Sequence, residues 1–196
     1  MTEHLFALLP FSASNIPDMT ITGIFALENN ILTLKYSLTG KIKDVLLPST
    51  SVDPRRKDEL WKATCFEFFL AIKNEPQYWE FNLSPSGDWN VYRMDAYRRV
   101  GFREEALIQQ LQIETTREEN KFTLDSAADL TSIIQHSLAS QTLQFGISAI
   151  LQTQSGNETY WALTHPGSEA DFHLRQSFIL SLAGQSQLRN LPGPND

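Results

Sequence analysis

The sequence predicts a mainly β protein, two antiparallel sheets packed as a β-sandwich with one short helix. Three observations carry this expectation. The dominant hydrophobic period is two rather than 3.6. The strand-like runs are short and regularly interrupted by Gly, Pro, Asn and Ser. Twelve Phe, five Tyr and four Trp are spread from Phe6 to Phe178, enough bulk for one continuous core. A sandwich of about this length commonly forms a single unit, and no linker or internal repeat divides the chain. The domain is expected to span 1–183. From 184 to 196 Gly, Gln, Ser, Pro and Asn prevail, and a disordered tail is expected there.

Taken in order, Thr20 to Leu27 and Ile31 to Leu38 alternate and meet at Glu28-Asn29-Asn30. Asn tolerates the left-handed backbone of a tight hairpin, so these are paired strands. Gly40 and the stretch from Pro48 to Pro54 then predict an irregular loop over Ser49 to Lys57. Thr64 to Ile72, Tyr78 to Leu83 and Trp89 to Met94 are the strongest strands, separated by turns at Pro76 and at Ser84-Pro85-Ser86-Gly87. Leu107 to Thr115 and Lys121 to Leu124 read as another pair. Ala127 to Ala139 is the helix: Leu130, Ile133, Ile134 and Leu138 recur at helical spacing, and Asp125 or Ser126 can cap it. Leu143 to Leu151, Tyr160 to Thr164 and Ser177 to Leu182 complete the strands.

Composition limits the function. A net charge of −7 argues against nucleic acid, because neutralising phosphates needs a basic face. Arg55-Arg56-Lys57 and Arg98-Arg99 sit among acids and read as solvated surface. Cys65 is the sole cysteine, which leaves no intrachain disulfide and no thiolate zinc site. The first residues carry an acid and no basic region before a short apolar run, unlike a signal peptide, and no apolar run reaches membrane-spanning length. A cytoplasmic protein with no membrane partner is the resulting expectation.

Alternation also sorts side chains between faces. Phe66, Phe68 and Leu70 fall on one side with Trp79, Phe81, Leu83, Phe145, Ile147 and Leu151. Glu67, Tyr78, Glu80, Asn82, Gln144, Gly146 and Ser148 fall on the other. If these strands adjoin, the second set forms a polar surface, left hollow by Gly146 and Ser148, that suits a polyhydroxylated ligand. A wet sheet face needs no ligand, and that reading stands beside the first. Glu67 is the leading single candidate. It lies within Cys65-Phe66-Glu67-Phe68-Phe69, where an ionised carboxylate needs a partner such as Arg98, or its pKa rises.

The run from Leu60 to Leu70, the segment Tyr78-Trp79-Glu80-Phe81-Asn82-Leu83-Ser84-Pro85-Ser86-Gly87-Asp88-Trp89-Asn90-Val91-Tyr92, Tyr97-Arg98, Tyr160 to Pro166 and Asp171-Phe172-His173 together resemble DOMON-like proteins related to family 9 carbohydrate-binding modules. The resemblance spans about Leu60 to Leu182. It implies a β-sandwich whose relatives bind sugars or, in other branches, haem, and it implies no catalysis. Family 9 modules clamp a sugar end between aromatic rings, for which Trp61, Trp89, Tyr92 and Trp161 are available.

His165, Asp171 and His173 are the best metal-like cluster if the chain folds back at Pro166-Gly167, with structural hydrogen bonding as the other reading. Haem needs an axial His or Met; His4, His136, Met19 and Met94 exist but sit in no attachment motif. Calcium on carboxylates has no recognisable loop here. No cofactor is therefore required by the sequence. The leading expectation is a non-catalytic module for a carbohydrate or similar polar small molecule, bound by Glu67, Glu80 and Asn82 and flanked by Trp89, Tyr92 and Arg98. The alternatives are a haem or metal carrier using His165 and His173, a glycosidase-like enzyme using Glu67 and Glu80, and a protein-interaction domain.

Overall fold

A computed structural model describes residues 3–12, 18–98, 100–134 and 142–183. Strand β1 (Glu3–Pro10) is followed by the hairpin of β2 (Met19–Glu28) and β3 (Ile31–Gly40). Asn29 and Asn30 take φ of 50° and 65°, the left-handed pair that a two-residue hairpin turn demands. After the irregular loop come β4 (Cys65–Ile72), β5 (Tyr78–Leu83) and β6 (Trp89–Met94), where alternation placed them. The remaining elements are β7 (Arg103–Glu104), β8 (Gln112–Arg117), β9 (Lys121–Asp129), α1 (Thr131–Ile134), β10 (Thr142–Gln152), β11 (Glu158–Ala162) and β12 (Leu180–Ala183).

The strands form two antiparallel layers. One runs β1-β2-β3-β9-β8; the other runs β7-β6-β5-β4-β10-β11, with β12 beside the first half of β10. Strand β1 links them, pairing with β2 over Glu3 to Leu8 and with β11 at Leu9 and Pro10. The inner faces meet ring to ring. Phe25 of β2 lies edge-on to Phe145 of β10 at 4.8 Å, and Tyr36 of β3 lies 4.9 Å from Phe66 of β4. The Tyr36 hydroxyl donates to the Glu67 backbone carbonyl at 2.6 Å. This satisfies a phenol that burial would otherwise penalise, and pins β3 to β4. Each such buried aromatic contributes about 2–3 kcal/mol of transfer free energy.

Several expectations are corrected. The helix does not begin at Ala127: Ala127 and Ala128 pair with Thr33 and Leu32, extending β9 to Asp129. Helical spacing from Leu130 still reports burial, since Leu130 and Ile134 both reach the core. The start is capped by Asp129, whose Oδ1 accepts from Thr131 N at 2.8 Å, rather than by Asp125 or Ser126. Residues 135–141, including His136 and Leu138, lie outside the described residues, as do Arg99 and the expected tail at 184–196. Leu107 to Leu111 is not strand. Ile108 and Leu111 are buried singly beneath it, and pairing starts at Gln112. Strand β1 was not expected; its strand signal is the alternate burial of Phe6 and Leu8. Among the described residues no helix is long and apolar enough to cross a membrane.

Candidate ligand-binding cleft

The outward face of the second layer is built in rows across β10, β4, β5 and β6. The register sets Ser148, Glu67, Asn82 and Asn90 side by side, and the next row holds Gly146, Phe69, Glu80 and Tyr92. Glu67 and Glu80 are therefore diagonal neighbours, a relation in which long side chains reach each other. Both are almost wholly buried, at 2% and 6% exposure, because three loop segments fold over this face. These are the turn around Trp61 before β4, the segments around Tyr97 and Phe102 after β6, and the stretch from His165 to Phe178 before β12.

Between cover and sheet lies a cleft of about 620 Å³. Glu67, Glu80 and Ile150 form its floor; Trp61, Tyr160, Phe172 and Phe102 wall it; Asp58, Glu59, Arg98 and His173 reach it from the loops. The hollow does not sit where Gly146 and Ser148 placed it in the sequence. Phe178 fills the space over Gly146, where an added Cβ would stand 3.0 Å from its ring. Arg175 seals that end, donating to Gln144 Oε1 at 2.9 Å. The opening is at the other end of the face.

The two acids are held differently. Glu80 accepts from Asn82 Nδ2 at 2.9 Å and faces His173 Nε2 at 3.8 Å. Burial lifts its pKa to about 7, against the Asn82 hydrogen bond that pulls it down. Glu67 accepts a long contact from the Ser148 hydroxyl to Oε2 at 3.5 Å, with the Cys65 thiol also beside the carboxyl, and its Oε1 is buried without a hydrogen-bond partner. Burial first, then the nearby Glu80 charge, pushes the Glu67 carboxyl well above the usual range. The expected Arg98 partner is spent elsewhere: its guanidinium pairs with Asp171 at 3.1 Å. The alternative consequence, a raised pKa, is the one realised.

His173 Nδ1 shares a 2.9 Å hydrogen bond with the Tyr78 hydroxyl. Burial and the Arg98 charge hold the imidazole near 4, so it is neutral at pH 7. Asp171 ties the cover together, accepting from Arg98, from the Tyr97 hydroxyl and from His173 N. Burial would raise its pKa, but these donors outweigh it and the carboxylate stays below its ordinary value.

Placement of the remaining candidates follows from strand parity. Asn82 is fully buried beneath Glu80 and also accepts from Cys65 Sγ at 3.7 Å. It orients an acid and does not line the opening. Tyr92 is on the correct face, but its hydroxyl donates to Asp58 and its ring stacks on Phe102 at 4.8 Å, so it supports the wall from behind. Trp89 is a correction. It faces the core between the sheets, where the Arg56 guanidinium lies 4.5 Å over its ring. Arg56 is equally not solvated surface: it donates to Asn90 Oδ1 at 2.6 Å and to the Glu105 and Ile108 carbonyls. Trp161 is also core. Trp61 is the tryptophan that reaches the cleft, and the absence of alternation around it left nothing to fix its side in advance.

The metal cluster is a second correction. His165 turns away, its Nε2 2.8 Å from the Leu9 carbonyl, while Asp171 is engaged by Arg98. Among the described residues no three His, Cys, Asp or Glu side chains converge as metal ligands.

No family model matches the chain, and no curated protein matches it in sequence. Solved structures do resemble it in fold. One is a Bacteroides uniformis protein provisionally named carbohydrate-binding, with a TM-score of 0.63 at 13% identity over 89% of this chain and 84% of that one. Another is a family 9 carbohydrate-binding module from Caldicellulosiruptor kristjanssonii in complex with cellotriose, with a TM-score of 0.50 at 13% identity over 96% of this chain and 87% of that one. In architecture, the chain is similar to a family 9 carbohydrate-binding module.

Proposed function

We propose that this protein is a non-catalytic carbohydrate-binding module whose ligand enters the cleft over Glu67 and Glu80. The observation that carries the reading is the Glu67 carboxyl: the residue lines an aromatic-walled cleft, and its Oε1 is buried without a hydrogen-bond partner. A buried polar atom left without a partner costs about 1–3 kcal/mol. A ligand hydroxyl placed there removes that cost, while the C–H face of a sugar ring packs on Trp61 or Tyr160. Two solved structures of similar fold carry carbohydrate-binding descriptions, which supports the same class of ligand.

Glycan-array screening followed by calorimetry tests this. Binding should weaken about tenfold or more in Glu67→Gln and in Trp61→Ala, and should be unchanged in Trp89→Phe, whose ring lies on the other side of the sheet. No binding to any glycan, or equal loss in Trp89→Phe, would overturn the assignment. Turnover of chromogenic glycosides would overturn its non-catalytic part.

A further inference from the structure

We infer that the ligand is an amino sugar, whose protonated amine sits between Glu67 and Glu80. This rests on the carbohydrate reading and narrows it.

The argument is a charge balance across the cleft. Each cation that the structure places beside it already has a carboxylate. Arg98 is held by Asp171 at 3.1 Å, and Lys62 by Glu59 at 2.6 Å. Lys57, next to Asp58 in the chain, is held by Asp88 at 2.6 Å. His173 is neutral. Three acids at the cleft have no cationic partner among the described residues: Asp58, which accepts from the Tyr92 hydroxyl and from Glu59 N, and the pair Glu67 and Glu80, which are diagonal neighbours and nearly inaccessible to water.

Natural buried acids are paired, hydrogen-bonded or functional, because an isolated buried charge is expensive. Asn82 supplies one hydrogen bond to Glu80, and Ser148 a long one to Glu67. Neither neutralises charge. A neutral sugar offers hydroxyls, which pair with a carboxyl group but leave any negative charge uncompensated. An ammonium group brings three donors and a positive charge on one nitrogen, which stabilises the ionised form of the pair.

Proton flow supplies an independent readout. Ligand-free, the pair holds extra protons, since burial raises both carboxyls. The other titratable groups facing the pair do not mask this near neutrality. Cys65 and Tyr78 are raised by burial, and Tyr160 is raised by its hydrogen bond to Glu158. Asp171 stays ionised on Arg98. Seating an ammonium favours the ionised carboxylates, so binding at pH 5.5, where the free amino sugar already carries its proton, should release the carboxyl protons to the buffer.

The test is calorimetry at pH 5.5 and 0.3 M salt on three trisaccharides that differ at one position of each ring: cellotriose, tri-N-acetylchitotriose and the fully deacetylated chitosan trimer. The chitosan trimer should bind about ten- to a hundredfold tighter than the other two. Repetition in buffers of different ionisation enthalpy should show net proton release. Glu67→Gln and Glu80→Gln should abolish the preference, whereas Trp61→Ala should weaken all three and keep it.

Equal binding of the three sugars, or preference for a neutral one, overturns the inference while the carbohydrate reading stands. Spermidine bound as tightly as the chitosan trimer also overturns it, as does absent proton release. If none of these sugars nor any array glycan binds, both readings fall.

Discussion

The two sheets have the same antiparallel construction, yet their outward faces differ completely. On the β2–β3–β9 side, Thr20, Thr22, Thr33 and Thr39 alternate with the core, and Lys35 pairs with Asp125 at 3.0 Å with both side chains nearly half exposed. Exposed ion pairs of this kind contribute about 0–1 kcal/mol, and the face needs nothing above it. On the β4–β5–β6–β10 side every outward residue from Cys65 to Ala71 and from Tyr78 to Asn82 is buried. A second small core of Phe69, Tyr78, Tyr92, Met94 and Phe178 has formed there, outside the sandwich. Polarity alone does not separate the faces, since both carry acids. The difference is the cover, which turns one polar face into an enclosed cleft.

The contrast is broken most severely by removing the cover's anchor. Phe178 packs on Phe69 and Tyr78 at 5.5 and 5.8 Å. Phe178→Ala should cost about 3–5 kcal/mol in denaturant unfolding, against less than about 0.5 kcal/mol for Thr33→Ala on the wet face. Similar costs for the two would mean that the cover is loosely attached.

A smaller effect is expected at Gly146, which lets Phe178 lie against the sheet. Gly146→Ala sets a methyl 3.0 Å from a ring carbon of Phe178. The strain should cost about 1–3 kcal/mol, and Phe178→Leu in the same chain should relieve part of it.

The pH dependence of stability sharpens the comparison further. Glu80, raised from 4.5 to about 7, stabilises the fold fully below pH 4.5 and gives this up as pH rises through 7. Glu67 acts in the same direction. His173, lowered from 6.5 to about 4, does the reverse: its contribution is complete above pH 6.5 and is lost as pH falls through 4. Above pH 6.5 only the acids still change, so Tm should fall between pH 6.5 and 8.5. The Glu80 share of that fall is about 1 kcal/mol or less. Glu80→Gln should flatten the profile in this window; an unaltered profile would show that Glu80 titrates normally.

Much of this was legible in the sequence because strand parity is a local property. Alternation in Cys65 to Ile72 and Tyr78 to Leu83 put Glu67, Glu80 and Asn82 on one face, and the register confirms them as neighbours. Parity also carried the correction at Trp89: read strictly, pairing across β5–β6 sets Trp89 opposite Leu83, a core residue. The cover was not legible. Trp61, Phe102 and Phe172 come from loops without a period, so nothing local fixes where their side chains point, and Phe178, expected in a strand from Ser177 to Leu182, lies before β12, which starts only at Leu180. Helical spacing misled at Ala127, because the small side chains of Ala127 and Ala128 fit β9 as readily as a helix, and pairing with β3 decided between them. His165 and His173 looked like partners by proximity in sequence, but β1 and Tyr78 claim them separately.

The four tryptophans offer the most direct test of which face binds. Trp79, Trp89 and Trp161 are buried in the core, and Trp61 lines the cleft. With 5-fluorotryptophan incorporated and assigned by single substitutions, titration with cellotriose and with the chitosan trimer should shift the Trp61 fluorine resonance and leave the other three nearly still. A bound sugar that leaves Trp61 unmoved would place the ligand elsewhere and contradict the cleft over Glu67 and Glu80 as the binding site.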